Sequence, residues 1–128
     1  MPVIQETPDR TTTSPLGVVT ALAGPSQGSD QVATWRIAAQ PDVDSPVHEI
    51  DRDQVWMPVS GTFEFELDVD GATTVERVGA GQAMLVPATV ARRFRARGGP
   101  AEALVAMPAD GTAAVPGQAD RHPLPWAR

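Results

Sequence analysis

The sequence predicts an all-β fold, a small barrel or sandwich assembled from short strands. Turn formers punctuate it closely, with 13 Pro and 11 Gly in 128 residues. Between them lie short runs that alternate apolar and polar side chains, the period of a half-buried strand. No apolar helical period persists over three turns.

Residues 1–15 are polar and rich in Thr and Pro, and read as a flexible N-terminal arm. Leu16–Leu22 is the candidate first strand. Gln31–Ala38 alternates, with Trp35 and Ile37 on one face and Thr34 and Arg36 on the other. Pro41 to Pro46 is a turn region and Val47–Ile50 a short strand. Gln54–Val59 follows the charged turn Asp51-Arg52-Asp53, which is expected to be solvated. The clearest strand is Thr62–Val69. Period 2 sends Phe63, Phe65, Leu67 and Val69 to a core and Thr62, Glu64, Glu66 and Asp68 to water. Asp70-Gly71 is a hairpin turn leading to Thr73–Val78. Gly79-Ala80-Gly81 turns into Gln82–Val86, which Pro87 ends. Arg92–Ala96 and Ala101–Met107 complete the set across Arg97-Gly98-Gly99-Pro100. Strands at this spacing make one barrel domain over residues 16–108. Residues 109–128 form a Pro/Gly-rich tail, with Trp126 expected to pack on the barrel and His122 expected to be exposed.

Composition narrows the chemistry. Ten Lys+Arg against 16 Asp+Glu give a formal charge of −6, unsuited to a phosphate backbone or an anionic membrane. There is no Cys, Tyr, Lys or Asn, and all ten basic residues are Arg. Joint loss of Lys and Asn, which share A-rich codons, points to a high-GC genome such as an actinobacterial one. Without Lys there is no Schiff base, and without Cys no thiolate nucleophile, disulfide or thiolate zinc site. Acid–base work falls to His48, His122 or a carboxylate. No targeting or membrane-spanning segment is visible, which makes the cytoplasm the default.

Two segments carry a family resemblance. The first runs Pro46-Val47-His48-Glu49-Ile50-Asp51-Arg52-Asp53-Gln54 and on to Gly61. The second runs Gly81-Gln82-Ala83-Met84-Leu85-Val86-Pro87-Ala88-Thr89 and on to Arg92. Together they resemble the two motifs of the cupin family, a double-stranded β-helix (jelly-roll) barrel. The first motif places three metal ligands and a Gly, and the second places Pro-Ala-Gly and a His. Here the ligand positions read His48, Ile50, Gln54 and Arg92, and Thr89 stands at the motif glycine. Isoleucine offers no lone pair and Arg stays protonated, so this set is poor for a metal. The reading is therefore of no cofactor, with a divalent transition metal on His48 and Gln54 as the alternative.

Strand parity places Arg92 with Phe94 and Ala96 on the barrel side, because Arg93, Arg95 and Arg97 cannot share a core face. Arg92 would then take the metal's electrostatic place and stabilise an oxyanion. His48 would face it across the cavity as general acid–base, and Gln54 would orient the substrate. Trp56, Phe94, Trp35, Ile50 and Phe63 are the candidate substrate-binding residues. Each has a structural alternative: a hydrogen-bonded barrel histidine, a buried arginine pair, core aromatics. Glu64 and Glu66 are expected to pair with Arg93 and Arg95 across adjacent strands. The resemblance implies a metal-independent isomerase, cyclase or lyase acting on a small apolar carbonyl compound, in secondary metabolism given the genome type. The alternatives are a non-catalytic small-molecule-binding cupin and a metal-dependent oxygenase or cyclase. It also implies a homodimer formed by strand exchange through Leu16–Leu22.

Overall fold

The structure, a computed structural model, describes residues 2–128. It is all-β, with twelve strands, three single-turn helices of the 3-10 type and no α-helix among the described residues. The strands are β1 (Thr11–Ser14), β2 (Gly17–Ala21), β3 (Val32–Ala39), β4 (Glu49–Ile50), β5 (Gln54–Ser60), β6 (Thr62–Val69), β7 (Ala72–Gly79), β8 (Met84–Val86), β9 (Ala91–Ala96), β10 (Ala101–Pro108), β11 (Thr112–Ala114) and β12 (His122–Pro123). A six-stranded sheet runs β1-β2-β3-β10-β5-β8, and two three-stranded sheets run β7-β6-β9 and β12-β11-β4. No helix among the described residues is long and apolar enough to cross a membrane.

The segment 41–48 joins the smaller sheets. It runs along the edge of β9 that β6 leaves free, and bonds it irregularly. Asp42 N–H donates to the Ala96 carbonyl at 2.8 Å, and Ser45 N–H to the Phe94 carbonyl at 2.9 Å. His48 and Arg92 exchange both backbone bonds, at 3.0 and 2.9 Å. Ser45 Oγ accepts the Phe94 N–H at 2.9 Å, so a side chain fills a gap in the ladder. Buried backbone groups need such partners, and two prolines in the segment, Pro41 and Pro46, have no N–H to offer.

The core lies between the sheets. Trp56 centres an aromatic cluster, 5.4 Å from Phe63, 5.0 Å from Phe65 and 4.6 Å from Phe94. Such pairs contribute about 0.5–1.5 kcal/mol each beyond area burial. β6 has the predicted bounds, and Phe63, Phe65 and Leu67 are buried on its inner face. Val69 is 44% exposed, because the end of the β6–β7 hairpin stands in solvent: residues 72–77 of β7 are exposed on both faces. Gly61, the glycine of the first motif, turns β5 into β6 with φ +71°. A Cβ there would lie 2.5 Å from the Pro100 carbonyl oxygen. Only glycine fits such a turn. Thr89 also has a positive φ, 70°, and its N–H reaches the Ile50 carbonyl at 2.7 Å. A β-branched residue thus holds a left-handed backbone geometry in this loop, a strained arrangement.

Three expectations change. The N-terminal lead-in contains a strand, β1, hairpinned onto β2 through Thr11↔Thr20 to Ser14↔Gly17. A Thr/Ser run suits an exposed edge, which apolar periodicity does not detect. Within the chain, β2 therefore has β1 on one side and β3 on the other. The turn 51–53 is a fastening, not a solvated loop. Asp51 Oδ1 and Oδ2 accept the N–H and hydroxyl of Thr112 at 2.7 and 2.9 Å. Arg52 binds Asp110 at 2.8 and 3.0 Å, and Asp53 accepts the Ala88 N–H at 2.7 Å. Burial would push the Asp51 carboxyl up, but the two Thr112 bonds and the cations Arg121 and Arg52 hold it below the usual carboxylate range. Glu64, placed in water by parity, is buried under Arg77, Arg95 and Arg97, at 2.8, 3.5 and 3.9 Å.

Candidate functional site

A cavity of about 550 Å³ opens between the sheets. It falls in the range of small-molecule sites, about 300–1,000 Å³. Its inner wall is Trp35, Ile37, Ile50, Trp56 and Phe94. Pro15 and Leu16 after β1, Val43 to Val47 on the irregular segment, and Val115, Leu124 and Trp126 of the tail complete it. Trp126 lies 6.5 Å from Trp35 at a tilt of 59°, so the tail is part of the wall. His122 is exposed on β12 and is not on the wall.

His48 is the sole basic residue lining the cavity, and Asp44 the sole acidic one. His48 Nδ1 lies 2.9 Å from the Pro46 carbonyl oxygen. A carbonyl can only accept, so Nδ1 carries the proton and the neutral ring keeps its lone pair on Nε2. No group among the described residues hydrogen-bonds Nε2. Burial pushes the imidazole below its ordinary pKa of 6.5. The Pro46 bond opposes this, and the Arg92 charge adds to it. At neutral pH His48 is therefore an uncharged proton acceptor.

Arg92 is buried, 2% exposed, but does not line the cavity. Its backbone pairs with His48, so the two are neighbours on adjacent strands and do not face each other across the cavity. Three of its five N–H groups are spent on the protein. Nε donates to the Val90 carbonyl at 2.8 Å, one Nη to the Pro87 carbonyl at 3.0 Å, and the other to Gln54 Oε1 at 3.5 Å. Burial pulls its pKa down to about 10, against the pull of Glu49, which leaves it charged at neutral pH. The oxyanion role is thus corrected: Arg92 clasps the β8–β9 loop. Gln54 is on the wall, yet its Oε1 also accepts the Trp56 indole N–H at 3.3 Å, and its Nε2 meets Met107 Sδ at 3.6 Å. It positions Trp56 and Arg92 and has no free acceptor lone pair aimed at a substrate. Phe63 does not reach the cavity; it packs behind Trp56 and Phe94. Trp35, Trp56 and Phe94 line it as expected from parity, and Ile50 lines it from its motif position.

The donor set does not fit a divalent metal. His48 gives one nitrogen, Ile50 none, Gln54 Oε1 already accepts two N–H groups, and Arg92 adds a positive charge next to the position. Among the described residues no cluster of three or more His, Cys, Asp or Glu could supply the missing ligands. Sequence reasoning missed Leu16, Val19, Val43, Val47, Val115 and Leu124 as wall residues. Val19 sits mid-strand in β2, where alternation could have shown it; the others lie at strand ends and in loops, where no period marks which way a side chain turns.

No family model matches the chain, and no curated protein matches it. Solved structures do. Oxalate decarboxylase from Bacillus subtilis, in a structure at pH 4.6, superposes with a TM-score of 0.74 at 14% identity, over 84% of this chain. A structure concerned with the substrate binding mode and reaction specificity of oxalate decarboxylase matches with the same values. The chain has the cupin fold. It spans 29% of the length of those solved chains. At that identity the likeness concerns the cupin barrel and nothing of its chemistry. The Gly61 turn described above is a local feature of the motif that this chain keeps, as are His48 and Gln54, while Ile50, Thr89 and Arg92 depart from it.

Proposed function

We propose that this cupin takes a small, mostly apolar carbonyl compound into the barrel and moves a proton on it without a metal, in an isomerase, cyclase or lyase type of reaction. The observation that carries the reading is a neutral imidazole with an unpartnered Nε2 on the wall of an otherwise apolar cavity. A positioned base of this kind contributes about 10²–10⁴-fold in rate. Arg92 acts through His48: its charge disfavours the imidazolium, which keeps Nε2 available. Trp35, Trp56 and Phe94 would hold the substrate and exclude water. The oxalate in the neighbours' name is a dicarboxylate, and this wall offers no free cation to hold one. A second reading, binding without turnover, is favoured by the place of Arg92, because no cation lines the cavity to stabilise an oxyanion.

The test uses 2-tetralone in D2O, with ligand-observed NMR for binding and loss of the α-proton signal for proton transfer. Exchange above the buffer rate that His48→Ala abolishes supports the enzyme. Binding with no added exchange supports the binding module. No binding at all overturns both.

A further inference from the structure

We propose that the cavity selects neutral molecules whose one polar group is a hydrogen-bond donor, such as a phenol, an enol or an alcohol, and rejects carboxylates. This rests on the reading of the cavity as a ligand site and adds the sign of the ligand's polarity: of a carbonyl compound, the enol form is the one held more tightly. Three features of the wall set that sign. First, the Pro46 carbonyl at 2.9 Å fixes the protonated nitrogen of His48, so the nitrogen left for a ligand accepts and does not donate. Second, the one nearby cation does not line the cavity. The nitrogens of Arg92 meet the Val90 and Pro87 carbonyls and Gln54 Oε1. Third, the one charged wall residue is acidic. Asp44 is half exposed, 2.7 Å from Arg95 and 3.9 Å from Arg93, and its neutralising partners lie on the outer face of β9.

The other polar wall groups are neutral; among them the Trp126 indole N–H is buried without a partner. Ser45 Oγ donates to the Pro46 carbonyl at 3.1 Å and accepts from the Phe94 N–H, so both its roles are filled. Gln54 is committed as described. Thr12 and Ser14 are exposed on β1 at the edge of the cavity, where water satisfies them. A carboxylate entering the cavity would lose its hydration and find no cation, only a neutral donor such as the Trp126 indole N–H, a large penalty for a charge in an apolar site. A hydroxyl would lose one water and gain one acceptor. A methyl ether of the same shape would fill the space and leave Nε2 unpaired.

Isothermal titration of the intact chain at pH 7.5 with 2-naphthol, 2-methoxynaphthalene and 2-naphthoate tests this, since the three share a skeleton and differ in polarity. The expected order is naphthol, then the ether roughly 5- to 10-fold weaker, as one net hydrogen bond dictates, then the carboxylate weaker still. In His48→Leu the ratio of naphthol to ether falls toward one. Should that variant fail to fold, the imidazole ¹⁵N spectrum of the unaltered chain reads the same contact. Naphthol shifts the unprotonated nitrogen of His48 and the ether does not. Equal binding of naphthol and ether, or tighter binding of naphthoate, overturns the proposal while leaving the cavity a ligand site. Silence from all three overturns the cavity reading and this inference with it.

Discussion

The two faces of β9 carry the same residue type into opposite surroundings. On the inner face Arg92 is buried and held by backbone carbonyls, and burial lowers its pKa to about 10. On the outer face Arg93 and Arg95 bind the Glu66 carboxylate at 2.6 and 2.7 Å, and the hydrogen bond to Glu66 raises the Arg93 pKa. One face holds an arginine by geometry, the other by charge. Both hold the segment that carries His48: Arg92 lies beside His48 in the ladder, and Arg95 ties down Asp44 at 2.7 Å. A strand can thus serve a site from the side that does not face it.

The largest expected effect is on the inner face. Arg92→Ala leaves the Val90 and Pro87 carbonyls unpaired over a void, and should cost about 3 kcal/mol in urea unfolding. Arg92→Met, which refills the volume, should cost less, and NMR titration should show the His48 pKa rising once the neighbouring charge is gone. Equal losses for both variants would mean that the hydrogen bonds matter and the void does not. Next comes Glu64, the outer-face carboxylate that is itself buried. Glu64→Ala should cost about 2 kcal/mol, because three arginines lose a shared partner with little water to replace it.

Acidification separates the faces by pH. The folded pKa of His48 lies below the unfolded value of 6.5, so the unfolded chain takes up its proton first. Stability then falls as pH drops from 6.5 through the folded value. Glu66 is held below its ordinary 4.5 chiefly by the hydrogen bond from Arg93. Its contribution is present above pH 4.5 and is lost only as pH falls through the lower folded value. Unfolding midpoints from pH 8 to 3 should show two separate declines, and His48→Leu should remove the upper one alone.

Smaller still is the strain at Thr89. Thr89→Gly should raise stability by about 0.5–1 kcal/mol, the relief of a left-handed β-branched residue less the added freedom of the unfolded chain. The smallest effect is expected for Arg93→Gln. Its side chain is 39% exposed and Arg95 still holds Glu66, so only a small shift, shrinking with salt, is expected in thermal melts.

Period 2 made β3, β5, β6, β9 and β10 legible, together with the inward direction of Arg92. It reports which side a residue takes, not what covers that side. Glu64 points outward as alternation demands, yet guanidinium stems roof it over. The fate of Arg92 was hidden for a related reason: its partners are carbonyls of Pro87 and Val90, atoms that every residue has. The cavity was half legible. Its strand-borne aromatic wall follows from alternation, whereas Val43, Val47 and Leu124 owe their places to irregular backbone. β1, β11 and β12 were missed because two to four residues are too few to show a period.

All three tryptophans of the chain, Trp35, Trp56 and Trp126, stand on the cavity wall, and there is no tyrosine anywhere in it. The near-ultraviolet absorption and emission of the protein therefore originate almost wholly from the surface of its one candidate site. Filling the cavity replaces water beside the indoles, and displacing the tail separates the Trp35 and Trp126 rings now 6.5 Å apart. The first event shifts the colour of the emission and the second changes the coupling of two transition dipoles in circular dichroism. The barrel carries its own pair of dyes, and occupancy can be distinguished from tail movement without attaching a label.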